Sequence, residues 1–175
     1  MFVEGLEDVA FITAGLHLYG LWNEFHALGC NLVTANGKSH LVHPVAIASI
    51  LEIPYFLIFD CDNNCNEKDR SKHEPDNKTL MKLTGFSDAD AFPATGVDHG
   101  NCKAWATNMG DAIEADFDNT VLEGYKQTAR TTCGNAKSLN KNSMFIAEWL
   151  TLAHENGKES STLKSLCETI IKSAK

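Results

Sequence analysis

The stretch Ile53-Pro54-Tyr55-Phe56-Leu57-Ile58-Phe59 is continuously apolar and stops abruptly at Asp60. A strand with one wet face alternates apolar and polar residues. A strand that is apolar throughout needs cover on both faces, as in a parallel sheet flanked by helices. This is the clearest strand in the chain. It leads directly into Asp60-Cys61-Asp62-Asn63-Asn64. Alternate residues of an extended segment point the same way, so Asp60 and Asp62 are expected to share a face. Sites in open parallel sheets form beyond the carboxyl ends of the strands, which is where these two acids fall.

The remaining pattern supports the same class. From Gly5 to about Leu28 the spacing is helical, with Val9, Ile12, Thr13 and Leu16 recurring at three and four. Asn31-Leu32-Val33-Thr34-Ala35 reads as a strand that meets a turn at Asn36-Gly37. His43 to Leu51 reads as a helix opened by Pro44. The polar stretch from Cys61 to Lys78 reads as a surface loop, and Lys78 to Thr84 as a short helix. Lys103-Ala104-Trp105-Ala106 reads as a strand. Helices are expected around Asp111–Phe117, Thr120–Thr132, Ser143–Glu155 and Thr162–Ser173. Strands alternating with helices imply an α/β fold with a parallel sheet flanked by helices. The nearly all-helical last third implies a C-terminal helical appendage, which divides the chain into a core over 1–117 and a helical part over 118–175.

Composition narrows the function. At 175 residues, 43% hydrophobic and 22% charged, the chain is one ordinary globular domain. Its formal net charge of -8 argues against gripping DNA through a basic face of its own. Divalent ions in an acidic site would offset that charge where a phosphate lies. Six cysteines without a CxxC pair fit reduced thiols better than a disulfide framework. Cys61 and Cys65 have no later Cys or His pair at zinc-finger spacing. No signal-like segment or membrane-length apolar run is present, so the reading is a cytoplasmic protein without a membrane partner. Met1-Phe2-Val3 reads as the end of a strand, as though the domain were cut from a longer protein.

A second acidic motif, Glu4-Gly5-Leu6-Glu7-Asp8, follows Val3. Gly5 permits a tight strand-to-helix turn. Glu4 and Asp8 can point into one crevice. Taken alone, the plainer reading of this pair is a turn residue and a helix N-terminal acid. Asp60 and Asp62, at the end of a buried strand, do not fit that plainer reading. Carboxylates crowded at one sheet edge repel unless cations are present, and hard oxygen ligands favour Mg²⁺ or Mn²⁺ over zinc. Two other motifs fail. As a calcium loop starting at Asp60, the stretch carries Cys65 where Gly is needed and Ser71 where Glu is needed. As a P-loop ending in Gly37-Lys38-Ser39, it carries Leu32 where a glycine is required.

Val3-Glu4-Gly5-x-x-Asp8, Gly37-Lys38 and Phe59-Asp60-Cys61-Asp62 together resemble the TOPRIM pattern of topoisomerases, primases and small nucleases. Trp105-Ala106-Thr107-Asn108-Met109-Gly110-Asp111 and Gly134-Asn135-Ala136-Lys137 with Lys141-Asn142 narrow the resemblance to the nuclease domain of OLD-family ("overcoming lysogenization defect") proteins. Two departures stand out: the first strand is very short, and Ser143 stands where that family has proline. The resemblance implies a TOPRIM, Rossmann-like fold and a DNA endonuclease using two divalent cations, Mg²⁺ or Mn²⁺. It implies metal ligands at Glu4, Asp8, Asp60 and Asp62, with a further carboxylate at Asp111 or Glu114. It implies a catalytic lysine, Lys141 or in its place Lys137, with Lys38 as the next cation. Lys38 and Lys137 are the candidate substrate contacts, and Glu4 is a ligand or a base for the attacking water. DNA is the implied partner. An N-terminal ATPase domain, outside this chain, would supply any use of ATP, and a homodimer is compatible with the family.

Two rival classes remain. A haloacid-dehalogenase-type phosphatase also ends an apolar strand in Asp-x-Asp. It requires Thr or Val where Asn64 stands, and it has no use for Glu4-Gly5-x-x-Asp8. A binding module that keeps the TOPRIM fold without the chemistry is the other.

Overall fold

A computed structural model describes residues 1–86, 90–134 and 141–175. It divides into two compact units, Met1–Gly5 with Leu32–Met109 and Leu6–Asn31 with Gly110–Lys175. The first is built on a sheet and the second on helices.

The sheet unit holds β1 (Phe2–Val3), β2 (Val33–Thr34), α3 (Lys38–Ile50), β3 (Leu57–Asp60), α4 (Glu67–Leu83), β4 (Val97–His99) and β5 (Cys102–Trp105). The strand order is β2-β1-β3-β5-β4. All pairings are parallel except that of β4 with β5. Leu57 and Phe59 of β3 lie in register with Cys102 and Ala104 of β5. These four share one face and pack against Leu41 and Val45 of α3 and Leu80 and Met81 of α4. Phe56 and Ile58, which alternate with them, are buried as well. The strand is therefore enclosed on both sides, as its apolar run requires.

Several boundaries differ from the sequence expectations. The strand starts at Leu57 rather than Ile53. The first part of the apolar run is the exit from α3, where the Ile53 N–H donates to the Ala48 carbonyl. Helix α3 starts at Lys38 rather than at His43, with Pro44 in its interior. The earlier start lets the helix bury Leu41 together with Val45, which offsets the hydrogen bond that Pro44 lacks.

The stretch expected to be a loop over Cys61–Lys78 is largely helix α4. Asn66 caps it by accepting from the Asp69 N–H at 3.1 Å. Lys78 pairs with Glu74 along its surface. Only Asn77, Leu80 and Met81 are buried, so the charged face hides the helical period. Strand β4 was not foreseen. It is three residues long and returns to β5 through Gly100, whose φ of 58° suits glycine.

The helical unit holds α1 (Leu6–Leu18), α2 (Trp22–Ala27), most of α5 (Met109–Glu114), α6 (Asn119–Cys133), α7 (Ser143–Glu155) and α8 (Ser161–Ser173). The single helix expected from Gly5 to Leu28 breaks at Gly20, which has φ 71°. Helix α1 packs on α7 and α8, and α6 packs on α7. Trp149 is 1% exposed. The Phe11 and Phe117 rings meet it edge-on, with centroids at 6.2 and 5.7 Å. Asp118, Asn142 and Ser160 cap α6, α7 and α8 with their side chains. Among the described residues no helix is long and apolar enough to cross a membrane.

Candidate metal centre

In the sheet unit, Glu4 and the Asp60-x-Asp62 motif lie at the carboxyl ends of neighbouring parallel strands. Phe2 of β1 is in register with Leu57 of β3; Glu4 directly follows the end of β1, and Asp60 is the last residue of β3. A carboxylate oxygen of Glu4 is buried. The Glu4 carbonyl accepts from the Gly37 N–H at 2.9 Å and from the Thr34 hydroxyl at 3.4 Å. These bonds tie the turn after β2 to the end of β1. Gly37 has φ 124°, a conformation that a side chain would strain. It delivers Lys38 as the first residue of α3.

Lys38 is only 5% exposed. Its Nζ lies 2.5 Å from Asp62 Oδ2. His73 of α4 places Nδ1 3.3 Å from the same oxygen. Asp62 has φ 54°, unusual for a residue with a side chain. Asp60 is held differently: its Oδ1 accepts from the Met109 N–H at 3.1 Å. A backbone N–H thus reaches Asp60, while the Lys38 ammonium and the His73 imidazole reach Asp62.

The segment beyond β3 is braced. The N–H groups of Cys61 and Asn63 donate to the carbonyls of Trp105 and Ala106, both at 2.8 Å. Asn77, fully buried on α4, donates through Nδ2 to the Cys61 and Ala91 carbonyls, both at 2.8 Å. Arg70 of α4 donates to the Asn63 carbonyl and to Asn63 Oδ1, both at 3.0 Å, and lies over the Phe92 ring. The Cys61 thiol belongs to the core, and burial pushes it up to about 12, so it stays protonated near neutrality.

Hard carboxylate oxygens are the donors that Mg²⁺ and Mn²⁺ prefer. A buried ammonium resting on Asp62 shows that this strand end accommodates positive charge, so the residues fit a divalent ion. Among the described residues, no three His, Cys, Asp or Glu side chains are already gathered as a ligand cage.

The other candidates belong to the helical unit. Asp8 is buried in the first turn of α1. Glu7 beside it pairs with Lys141 at 3.3 Å, and the Lys141 side chain is 75% exposed. Lys141 stands just before α7, whose N-cap is Asn142. Asp111 and Glu114 lie three apart on α5. Glu114 is engaged at 2.7 Å by the buried Lys126. Lys137 lies outside the described residues.

His73, Arg70 and Asn77 were missed by the sequence reading. All three lie on α4, where a loop was expected. A helix start at Asn66, with acids at Glu67 and Asp69, was the available signal.

Residues 1–62 match the family model of the overcoming lysogenization defect protein-like TOPRIM domain. The match covers β1, both acidic motifs and the Gly37-Lys38 turn. No curated protein and no solved structure matches the chain.

Proposed function

We propose, from the premise that residues 1–62 are those of an OLD-like TOPRIM domain, that this chain is a metal-dependent nuclease domain acting on DNA phosphodiesters. That domain type points to metal-binding nucleotidyl-transfer or nuclease chemistry. The finer reading is a DNA endonuclease using two Mg²⁺ or Mn²⁺ ions. It rests chiefly on one observation: Asp60-x-Asp62 ends a buried parallel strand, with a buried lysine on its second acid.

In the sheet unit, Glu4, Asp60 and Asp62 are the ligands. Bound ions would supply a water of lowered pKa and would stabilise the leaving oxygen. Met109 N–H orients the Asp60 carboxylate. Asn77 and Arg70 fix the backbone that carries Asp62. Asp8, with Asp111 or Glu114, are the ligands that the resemblance adds from the helical unit. Lys141 is the residue it assigns to stabilising charge on the phosphate, with Lys137 in its place as the alternative. The domain boundary proposed with this reading falls at 117/118, leaving the catalytic lysine in the helical part. A parent ATPase domain would bring ATP into play.

Asp60→Ala tests the reading. Metal-dependent nicking of plasmid DNA should vanish while circular dichroism in metal-free buffer shows a folded protein, relief of like-charge repulsion opposing the loss of the Met109 N–H bond to Asp60. A folded Asp60→Ala protein that nicks at the wild-type rate would end the assignment. Turnover of a small phosphate monoester in place of DNA would favour the dehalogenase-type phosphatase.

A further inference from the structure

The sequence offers Lys38 as a contact for substrate, and its position in the fold points elsewhere. A lysine that meets a phosphate needs its ammonium at the surface or in an open groove. Lys38 instead has a side chain 4% exposed, with its Nζ on Asp62 Oδ2. His73 Nδ1 approaches the same oxygen. Among the described residues, nothing hydrogen-bonds or ion-pairs with Asp62 Oδ1. The Lys38 ammonium and the His73 ring nitrogen therefore lie on one side of the carboxylate.

We infer that Lys38 is the built-in counter-ion of the Asp-x-Asp motif, a positioning residue that sets the affinity for divalent ions. Its ammonium neutralises Asp62 when no ion is bound. An ion ligated by Asp62 competes with it, either by taking Oδ2 and displacing the ammonium or by binding Oδ1 against its repulsion. His73 marks the second boundary of the site. It holds the same oxygen from α4, so the carboxylate is gripped from two elements. This inference rests on the metal-binding reading above and adds a residue that limits ion binding.

The sign of the effect distinguishes the roles. A lysine that contacts DNA would, on removal, weaken DNA binding and leave ion affinity alone. A lysine that merely supports the fold would, on removal, leave ion affinity unchanged or lower. A counter-ion would, on removal, leave Asp62 more available and tighten ion binding. A single charge this close to the ion should matter by roughly tenfold or more, even with the screening of water.

The experiment is calorimetric titration of the full chain with Mn²⁺, comparing the wild type with Lys38→Met, Lys38→Gln and Lys38→Arg. The two neutral variants should bind Mn²⁺ about tenfold more tightly or better. Their melting temperature without metal should fall, and their gain on adding Mn²⁺ should exceed that of the wild type. Lys38→Arg keeps the charge and should stay near the wild type. Equal or weaker Mn²⁺ affinity in the neutral variants overturns the counter-ion role while leaving the metal site standing. Absence of Mn²⁺ binding in the wild type and in every folded variant sinks the metal reading, and the inference with it. If the variants do not fold, the wild-type protein still decides. Its Lys38 ammonium resonance should shift on titration with Mg²⁺ while that of exposed Lys72 stays put, and a Lys38 signal unmoved at saturation overturns the inference.

Discussion

Among the described residues, each unit buries one lysine against one carboxylate, and the two pairs differ in what surrounds them. In the sheet unit, Lys38 meets Asp62 at 2.5 Å, with His73 on the same oxygen and Asp60 two residues away. In the helical unit, Lys126 meets Glu114 at 2.7 Å and lies over Trp149, 6.0 Å from the ring centroid. The first ammonium sits at a strand end among acids and strained backbone. The second lies over an aromatic core ring and is paired with a partly exposed glutamate. Burial and a short ion pair are common to both lysines; only Lys38 is paired with an acid of the Asp-x-Asp motif.

If the helical unit is held by packing, the largest loss should come from its central ring. Trp149→Ala should destabilise the protein by about 3–5 kcal/mol, the range for deleting a buried aromatic, measured by denaturant unfolding. A loss below about 1 kcal/mol, the scale of a surface substitution, would show that the unit does not depend on this core.

Lys126→Met separates the two lysines. It removes the charge and keeps most of the apolar stem, while Glu114 retains access to water. The loss should be about 1–2 kcal/mol, below the range for breaking a fully buried pair. If Asp111 rather than Glu114 is the ligand of the helical unit, Mn²⁺ affinity should not change, because Lys126 is paired with Glu114. A shift in ion affinity as large as that expected for Lys38 would erase the distinction between the pairs.

The smallest effect tests a charge that neither lysine touches. Asp116 is pushed up by burial. The hydrogen bonds from the Ser160 hydroxyl and from the Thr162 N–H and hydroxyl outweigh this and hold its carboxyl below the usual range. A depressed carboxyl stabilises the fold above its unfolded value and loses that contribution as pH falls through the folded one. Asp116→Asn should therefore be less stable than the wild type at neutral pH, by under about 1 kcal/mol at this solvent-exposed position. The gap should close in acid. A gap that stays constant from neutral pH to about pH 2 would mean that the charge contributes nothing.

Legibility followed periodicity. Helices α6, α7 and α8 bury one stripe each, and their expected spans agree with the structure to within two residues at either end. Strand β3 and its terminal acids stood out because a short run apolar on both faces belongs in a sheet covered on both sides. Helix α4 did not, because only three of its residues are buried and Pro75 interrupts its pattern. Strand β4 was too short to leave a period. Glu4, Asp60, Asp62 and Lys38 could be picked out from spacing and resemblance. The grip of Lys38 and His73 on Asp62 could not, because it is set by how α3 and α4 lie on the sheet.

The chain passes from one unit to the other three times, at Gly5–Leu6, Asn31–Leu32 and Met109–Gly110. Strand β1 therefore waits for β3, and helix α1 for α7 and α8, before either can bury its apolar side. Closing such long stretches of chain carries an entropic cost that short-range helical contacts avoid. On a ribosome, the opening segment of each unit would emerge long before its partner. Helix α8 completes the setting of α1, so a truncation within α8 would strip cover from residues of Leu6–Leu18.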